Sequence, residues 1–166
     1  MSTYRNLIRP IAGDSKVVLE FFVNFSRFEY ALKRAGFVEG DRNENAFPDW
    51  GKFASSLNGQ FASATQPAFT KAKSSLLKDP PNKQMFRKSH MLWGKNSKRS
   101  KESDEEYVLR LVRDVRNNLF HGGKYPVPLG PITDPARNSE LLRACLTILD
   151  KCLQLDADVK HCFEES

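Results

Sequence analysis

An all-helical bundle, with three long helices and shorter ones between the first and second, is the fold predicted by three observations. Apolar residues recur at three- and four-residue intervals in three separate segments, each opened by a capping residue. No clear alternating strand pattern or internal repeat appears. The length of 166 residues suits one domain, large enough to bury a single core without disulfides or metals. The expected organisation is one domain over 1–166, with an N-terminal arm at 1–13 and a basic mobile loop at 94–102.

The first long helix is capped by Asp14 or Ser15 and carries Val18, Phe21, Phe22, Phe25, Phe28, Leu32 and Ala35 as its apolar positions, ending at Gly36 or Gly40. After a polar loop at 42–45, Pro48 fits the first position of a short helix through Trp50, Phe53, Ala54 and Leu57, which Asn58-Gly59 ends. Pro67 opens another, carrying Phe69, Ala72, Leu76 and Leu77 and stopped by Asp79-Pro80-Pro81. A third short segment, Met85 to Trp93, follows. Ser103 and Glu106 form a capping box for the second long helix, with Asp104 and Glu105 favourable in its first turn. Its apolar stripe is Val108, Leu111, Val112, Val115 and Leu119, and Gly122-Gly123 supplies the stop. The prolines between Tyr125 and Pro131 require an extended connection. Asp134-Pro135 starts the last long helix, whose inward residues are Leu141, Leu142, Cys145, Ile148, Leu149 and Cys152.

Apolar residues at 40% and charged residues at 28% are ordinary for a soluble globular protein, with twelve Phe giving the core an aromatic character. The N-terminus lacks the apolar stretch of a secretory signal, and no run of about eighteen apolar residues occurs, so a cytoplasmic protein without membrane contact is expected. Cys145, Cys152 and Cys162 read as reduced thiols, the first two packed on one helix face. No cofactor or metal is expected: three scattered His offer no ligand spacing. Gly94-Lys95 is not a phosphate loop, because Asn96 stands where Ser or Thr is required.

The net charge of +6 is unevenly spread. Ten Lys and Arg lie between Lys71 and Lys101, Lys95, Lys98, Arg99 and Lys101 among them, opposed only by Asp79, so the remainder is net acidic. Such a stretch fits either RNA phosphates or a solvated, lysine-rich loop.

A helical projection of the second long helix gathers its apolar stripe on one side. With Val108 at zero, Asn117 and His121 fall at roughly 180° and 220°, Arg113 near 140°, Phe120 near 120° and Arg116 near 80°. The polar groups are therefore displayed, and Phe120 is a large aromatic where a monomer would present water, as an interface residue would be. Arg116, Asn117 and His121 together form the set of groups that metal-free phosphodiester cleavage requires. Histidine exchanges a proton near neutral pH. Arginine holds the phosphate and stabilises its extra transition-state charge. Asn117, one turn before His121, orients the imidazole or contacts the phosphate. The alternative is a solvated helix end favoured by the dipole; Arg113 is either a second phosphate contact or part of a surface pair on the side of Asp114.

The segment Arg116-Asn117-Asn118-Leu119-Phe120-His121 resembles the Arg-x4-His motif, often with Asn after Arg, of HEPN-domain ribonucleases. Phe25-Ser26-Arg27-Phe28-Glu29-Tyr30-Ala31-Leu32 is similar to the opening helix of that family. The resemblance implies a HEPN-like helical bundle and a metal-independent endoribonuclease, in which the ribose 2′-hydroxyl attacks the adjacent phosphate to leave a 2′,3′-cyclic phosphate and a 5′-hydroxyl. Arg116 and His121 would carry the chemistry. A homodimer would place the composite site between two chains, with Phe120 at the interface. Such enzymes act as toxins or in antiphage defence and stress, some beside an antitoxin or other regulatory protein. Degenerate relatives imply the alternative, a non-catalytic module that binds nucleotide, RNA or a protein partner.

Overall fold

The computed structural model describes residues 12–120 and 134–165, apart from the side chain of Met91. His121, Gly122-Gly123, the connection from Tyr125 to Pro131 and most of the expected N-terminal arm lie outside the described residues. Helix α1 (Ser15–Arg34) leads to a hairpin of β1 (Val38–Gly40) and β2 (Ala46–Pro48), then to α2 (Trp50–Ser56), α3 (Gln60–Ser63) and α4 (Pro67–Lys78). A second hairpin of β3 (Lys83–Arg87) and β4 (His90–Gly94) precedes α5 (Asp104–Phe120), α6 (Pro135–Leu155) and α7 (Ala157–Glu164). The fold is mostly helical, with two two-stranded antiparallel sheets among the described residues.

The three long helices stand where the periodicity places them, and their ends follow from local chemistry. Asp14 accepts a hydrogen bond from the Lys16 amide at the start of α1. Its other end is a Schellman turn: Gly36, at φ +87°, donates to the Lys33 carbonyl, and the Phe37 amide donates to the Leu32 carbonyl at 2.9 Å. Ser103 and Glu106 form the reciprocal capping box of α5, with distances of 2.7 and 3.1 Å. Asp134 caps α6 through the Arg137 amide, with Pro135 in the first turn.

Helix α6 is the common support: α1 and α4 both pack along it, and α7 closes against α1. Its six expected inward residues are all buried, including Cys145 and Cys152, whose thiols burial pushes far above their ordinary range. A second aromatic layer joins α1 to α2. Trp50 stacks on Phe25 and Phe28 with ring centroids 5.6 and 5.5 Å apart, and Phe53 meets Phe28 and Phe37 edge-on.

Several expectations are corrected. The segment Met85 to Trp93 is not helical but most of the β3–β4 hairpin, with Arg87 opposite His90 across the two-residue turn Lys88-Ser89. Both turn residues are left-handed, at φ 48° and 63°, as a type I′ connection requires. Pro48 does not open α2; it closes β2, and Asp49 caps the helix by accepting from the Lys52 amide at 2.8 Å. Phe22 is not in the core, because Val17 and Ala31 complete the inward face of α1 and leave Phe22 45% exposed. Helix α7 is not among the expected elements; its length of 8 residues offers little more than two turns of periodicity.

Glu105 does more than complement a helix dipole. It is buried, and its carboxylate accepts the Phe61 amide at 3.0 Å, so that α5 caps the short helix α3 across the core. Lys73 donates to the carbonyl of the same residue at 2.7 Å. Glu105→Ala orphans the Phe61 N–H, and chemical denaturation should show a loss of about 1–3 kcal/mol. Glu105→Gln keeps an acceptor and should retain most of that stability; an Ala variant as stable as the parent would contradict the capping role.

Candidate nucleic-acid interface

Helix α5 is buried over a wider arc than its apolar stripe suggests. Glu105, Tyr107, Leu109 and Asn118 join Val108, Leu111, Val112 and Val115 as buried residues. The arc covers about 200° of the helix, and the outward strip left between its edges carries Arg113, Asn117 and Phe120, with Arg116 at the margin. These residues share the outward side with Glu106, Arg110 and Asp114.

Arg116 lies across aromatic rings. Its guanidinium carbon is 4.9 Å from the Phe120 ring centroid and 5.6 Å from that of Phe25, and Nη1 donates to the Asn117 side-chain oxygen at 3.1 Å. Nε is buried and has no hydrogen-bond partner among the described residues. The planar cation is thus oriented by ring faces, and the donation to Asn117 is its one side-chain hydrogen bond among the described residues. Phe120, 42% exposed, also meets Phe22 of α1, with ring centroids 5.2 Å apart. The two rings form an apolar patch beside Arg116. Phe120 is accordingly covered in part by its own chain.

One turn earlier, Arg113 is exposed, with its guanidinium carbon 5.9 Å from the Trp50 ring centroid. It does not pair with Asp114, which engages Arg110 and accepts from Asn96 at 2.9 Å. Arg113 also borders a groove of about 330 Å³, whose charged lining is otherwise Arg99, Lys101 and Arg110 with the carboxylates of Glu102 and Glu106. Arg110 is committed there: it binds Glu102 through Nε at 2.6 Å and Nη2 at 2.8 Å, and Asn96 through Nη1 at 2.7 Å. Arg99, Lys101 and Arg113 have no ion-pair partner among the described residues. A cationic track therefore runs from the groove along α5 toward Arg116.

The structure divides the other expected contacts. Lys98 turns to Asp104, whose carboxylate raises the lysine's affinity for its proton, and lies outside the groove lining. Lys95 is exposed just beyond β4. His121 lies outside the described residues, so the geometry here is that of Arg116, Asn117 and their neighbours. Comparison with known protein families, known proteins and solved structures returns no match. Among the described residues no cluster of His, Cys, Asp or Glu could hold a metal ion, and no helix is long and apolar enough to cross a membrane.

Two asparagines outside the expected site organise this face. Asn118, buried within α5, donates to the Asn82 carbonyl at 2.6 Å. Asn96, buried in the basic loop, donates to the Pro81 carbonyl at 2.7 Å and to Asp114. A signal existed for Asn118: at about 280° on the projection it falls beside Leu111, on the apolar side. None existed for Asn96, a polar residue in a polar stretch.

The Glu102–Arg110 pair ties the loop to α5. Hydrogen bonding from Arg110, reinforced by the Arg99 amide, holds the Glu102 carboxyl below its ordinary value of 4.5. A carboxyl depressed on folding stabilises the protein fully above that ordinary value and loses its contribution as pH falls through the lower, folded value. Urea titrations from pH 7 to below pH 4 should show a smaller acid-induced loss of stability for Glu102→Gln than for the parent. Equal losses would assign acid sensitivity to other groups.

Proposed function

We propose that the chain is a metal-independent endoribonuclease acting at Arg116 and His121. The observation that carries this reading is the Arg-x4-His spacing at the end of α5, with Arg116 laid across Phe25 and Phe120 on the helix's outward margin. Arg113, Arg99 and Lys101, which have no ion-pair partner among the described residues, support a phosphate-bearing ligand, since Lys and Arg attract a polyanion without reading its sequence.

In the proposed reaction a His121 imidazole removes the proton of a ribose 2′-hydroxyl. The oxygen attacks the adjacent phosphorus, forming the 2′,3′-cyclic phosphate as the bond to the 5′-oxygen breaks. A protonated imidazole returns a proton to that leaving oxygen, giving the 5′-hydroxyl. Arg116 holds the non-bridging oxygens and stabilises the charge that accumulates on them, and Asn117 orients the guanidinium or the phosphate. One imidazole cannot act as base and acid on opposite sides of one phosphorus at the same moment. Two chains, each contributing a His121, satisfy the reaction, and the exposed Phe22–Phe120 patch gives such a homodimer an apolar contact beside the site. A cytoplasmic toxin, defence or stress nuclease in a HEPN-like bundle, restrained by an antitoxin or other regulatory partner, is the role that fits this chemistry.

RNA should be cut in the presence of a chelator. His121→Ala and Arg116→Ala should each lower the rate by about 10²–10⁴-fold while preserving the circular dichroism spectrum and elution volume. Cleavage that survives both substitutions would place the site elsewhere, and an active strict monomer would contradict the composite arrangement.

A further inference from the structure

We propose that the β3–β4 hairpin is a docking arm for single-stranded RNA, with Phe86 stacking on a base and the neighbouring cations holding the flanking phosphates. The proposal rests on the ribonuclease reading for its choice of ligand, and on four observations about the hairpin itself.

The first is exposure. Phe86 is 79% exposed, more than any other large hydrophobic residue described, and stands one residue before the end of β3 rather than against the core. The second is charge. From residue 83 to residue 101 the chain contains Lys83, Arg87, Lys88, Lys95, Lys98, Arg99 and Lys101, and no Asp or Glu. The third is the hairpin's register. Gln84 pairs with Trp93 and Phe86 with Met91, so alternation puts Gln84, Phe86 and Trp93 on one face, with the two aromatic residues at diagonal positions. The last is attachment. Asn118 grips the Asn82 carbonyl immediately before β3, and Asn96 grips Pro81 and Asp114 immediately after β4. The hairpin therefore projects from the same turn of α5 that carries Arg116 and Asn117.

An aromatic face with cations on either side suits a single strand, whose unpaired bases offer π-faces while its phosphates run alongside. A duplex keeps its bases stacked and presents only phosphates and groove edges. A second copy of the chain would bring one cationic hairpin toward another, which like-charge repulsion opposes. The arm would hold the strand beside the cut rather than at the reacting phosphorus.

The test uses His121→Ala protein, so that binding is read without cleavage, and the fluorescence anisotropy of a labelled single-stranded oligouridine in chelator at low salt. Phe86→Ala in that background should weaken binding about 5- to 100-fold, and Phe86→Trp should restore it. Because the side chain is largely exposed, both variants should melt at the parent's temperature. An unlabelled duplex of equal length should compete poorly. Unchanged affinity in Phe86→Ala, or equal competition by duplex, would overturn the proposal. So would binding to phosphatidylserine vesicles that depends on Phe86 while oligouridine does not bind, which would make the hairpin a membrane-surface contact. If oligouridine binding depends on Phe86 but the parent protein cuts no RNA, the docking arm stands and the nuclease reading fails. If the parent cuts RNA and Phe86→Ala binds and cuts equally well, the reverse holds.

Discussion

Two buried side-chain amides, Asn96 and Asn118, determine how the basic β3–β4 hairpin and the loop after it meet the helical body. Each satisfies a backbone carbonyl next to the β3–β4 hairpin, and Asn96 also engages Asp114 of α5 and accepts from Arg110. An isolated two-stranded hairpin is marginal in water. This one gains its position from carboxamides that would themselves be costly to bury unpaired. The same bonds hold the loop after β4, so that Glu102 reaches Arg110 and Arg99 and Lys101 come to line a groove against α5.

The proposed site follows from the burial of α5 as much as from its motif. A helix with a narrow apolar stripe displays most of its circumference, whereas this one is enclosed by α2, α3, α4, α6 and β3 and leaves a single outward strip. Arg116 lies at its margin, between the Phe25 ring of the core and the exposed Phe120, and receives from them a fixed plane rather than a neutralising carboxylate. An arginine with no ion-pair partner among the described residues and an orientation set in advance is suited to an anionic ligand, because little ordering is needed when the ligand arrives. Arg113 over Trp50 repeats the arrangement one turn back.

Much of the helical framework was legible in the sequence. The stripes of α5 and α6 and the caps at Asp14, Ser103–Glu106 and Asp134 are local patterns, and each appears where expected. The hairpins were not legible. A type I′ turn is announced by Asn-Gly or Asp-Gly, and Lys88-Ser89 adopts the left-handed backbone without that signal. The strands themselves are three or five residues long, too short for alternation to stand out against a helical period. Phe22 was assigned inward because periodicity identifies a face only to within about one residue's rotation, and tertiary packing chose Val17 and Ala31 instead. Of the described residues on α5, the outward placement of Arg113, Asn117 and Phe120 could be read in advance. The partnership of Phe22 with Phe120, the diversion of Lys98 to Asp104 and the amide clamp depend on contacts between distant segments, which no local pattern encodes.

The proposal that α5 presents a metal-independent ribonuclease is tested most directly at the substrate's own nucleophile. An RNA cut by the protein in chelator is resynthesised with a single 2′-deoxynucleotide on the 5′ side of the mapped cleavage position, and the rate at that position is compared with the all-ribose strand. The account predicts that cleavage there is abolished while other positions are still cut, and that the all-ribose products end in a cyclic phosphate and a 5′-hydroxyl. Cleavage that ignores the missing hydroxyl, or an all-ribose strand left intact until a divalent metal is supplied, would contradict it.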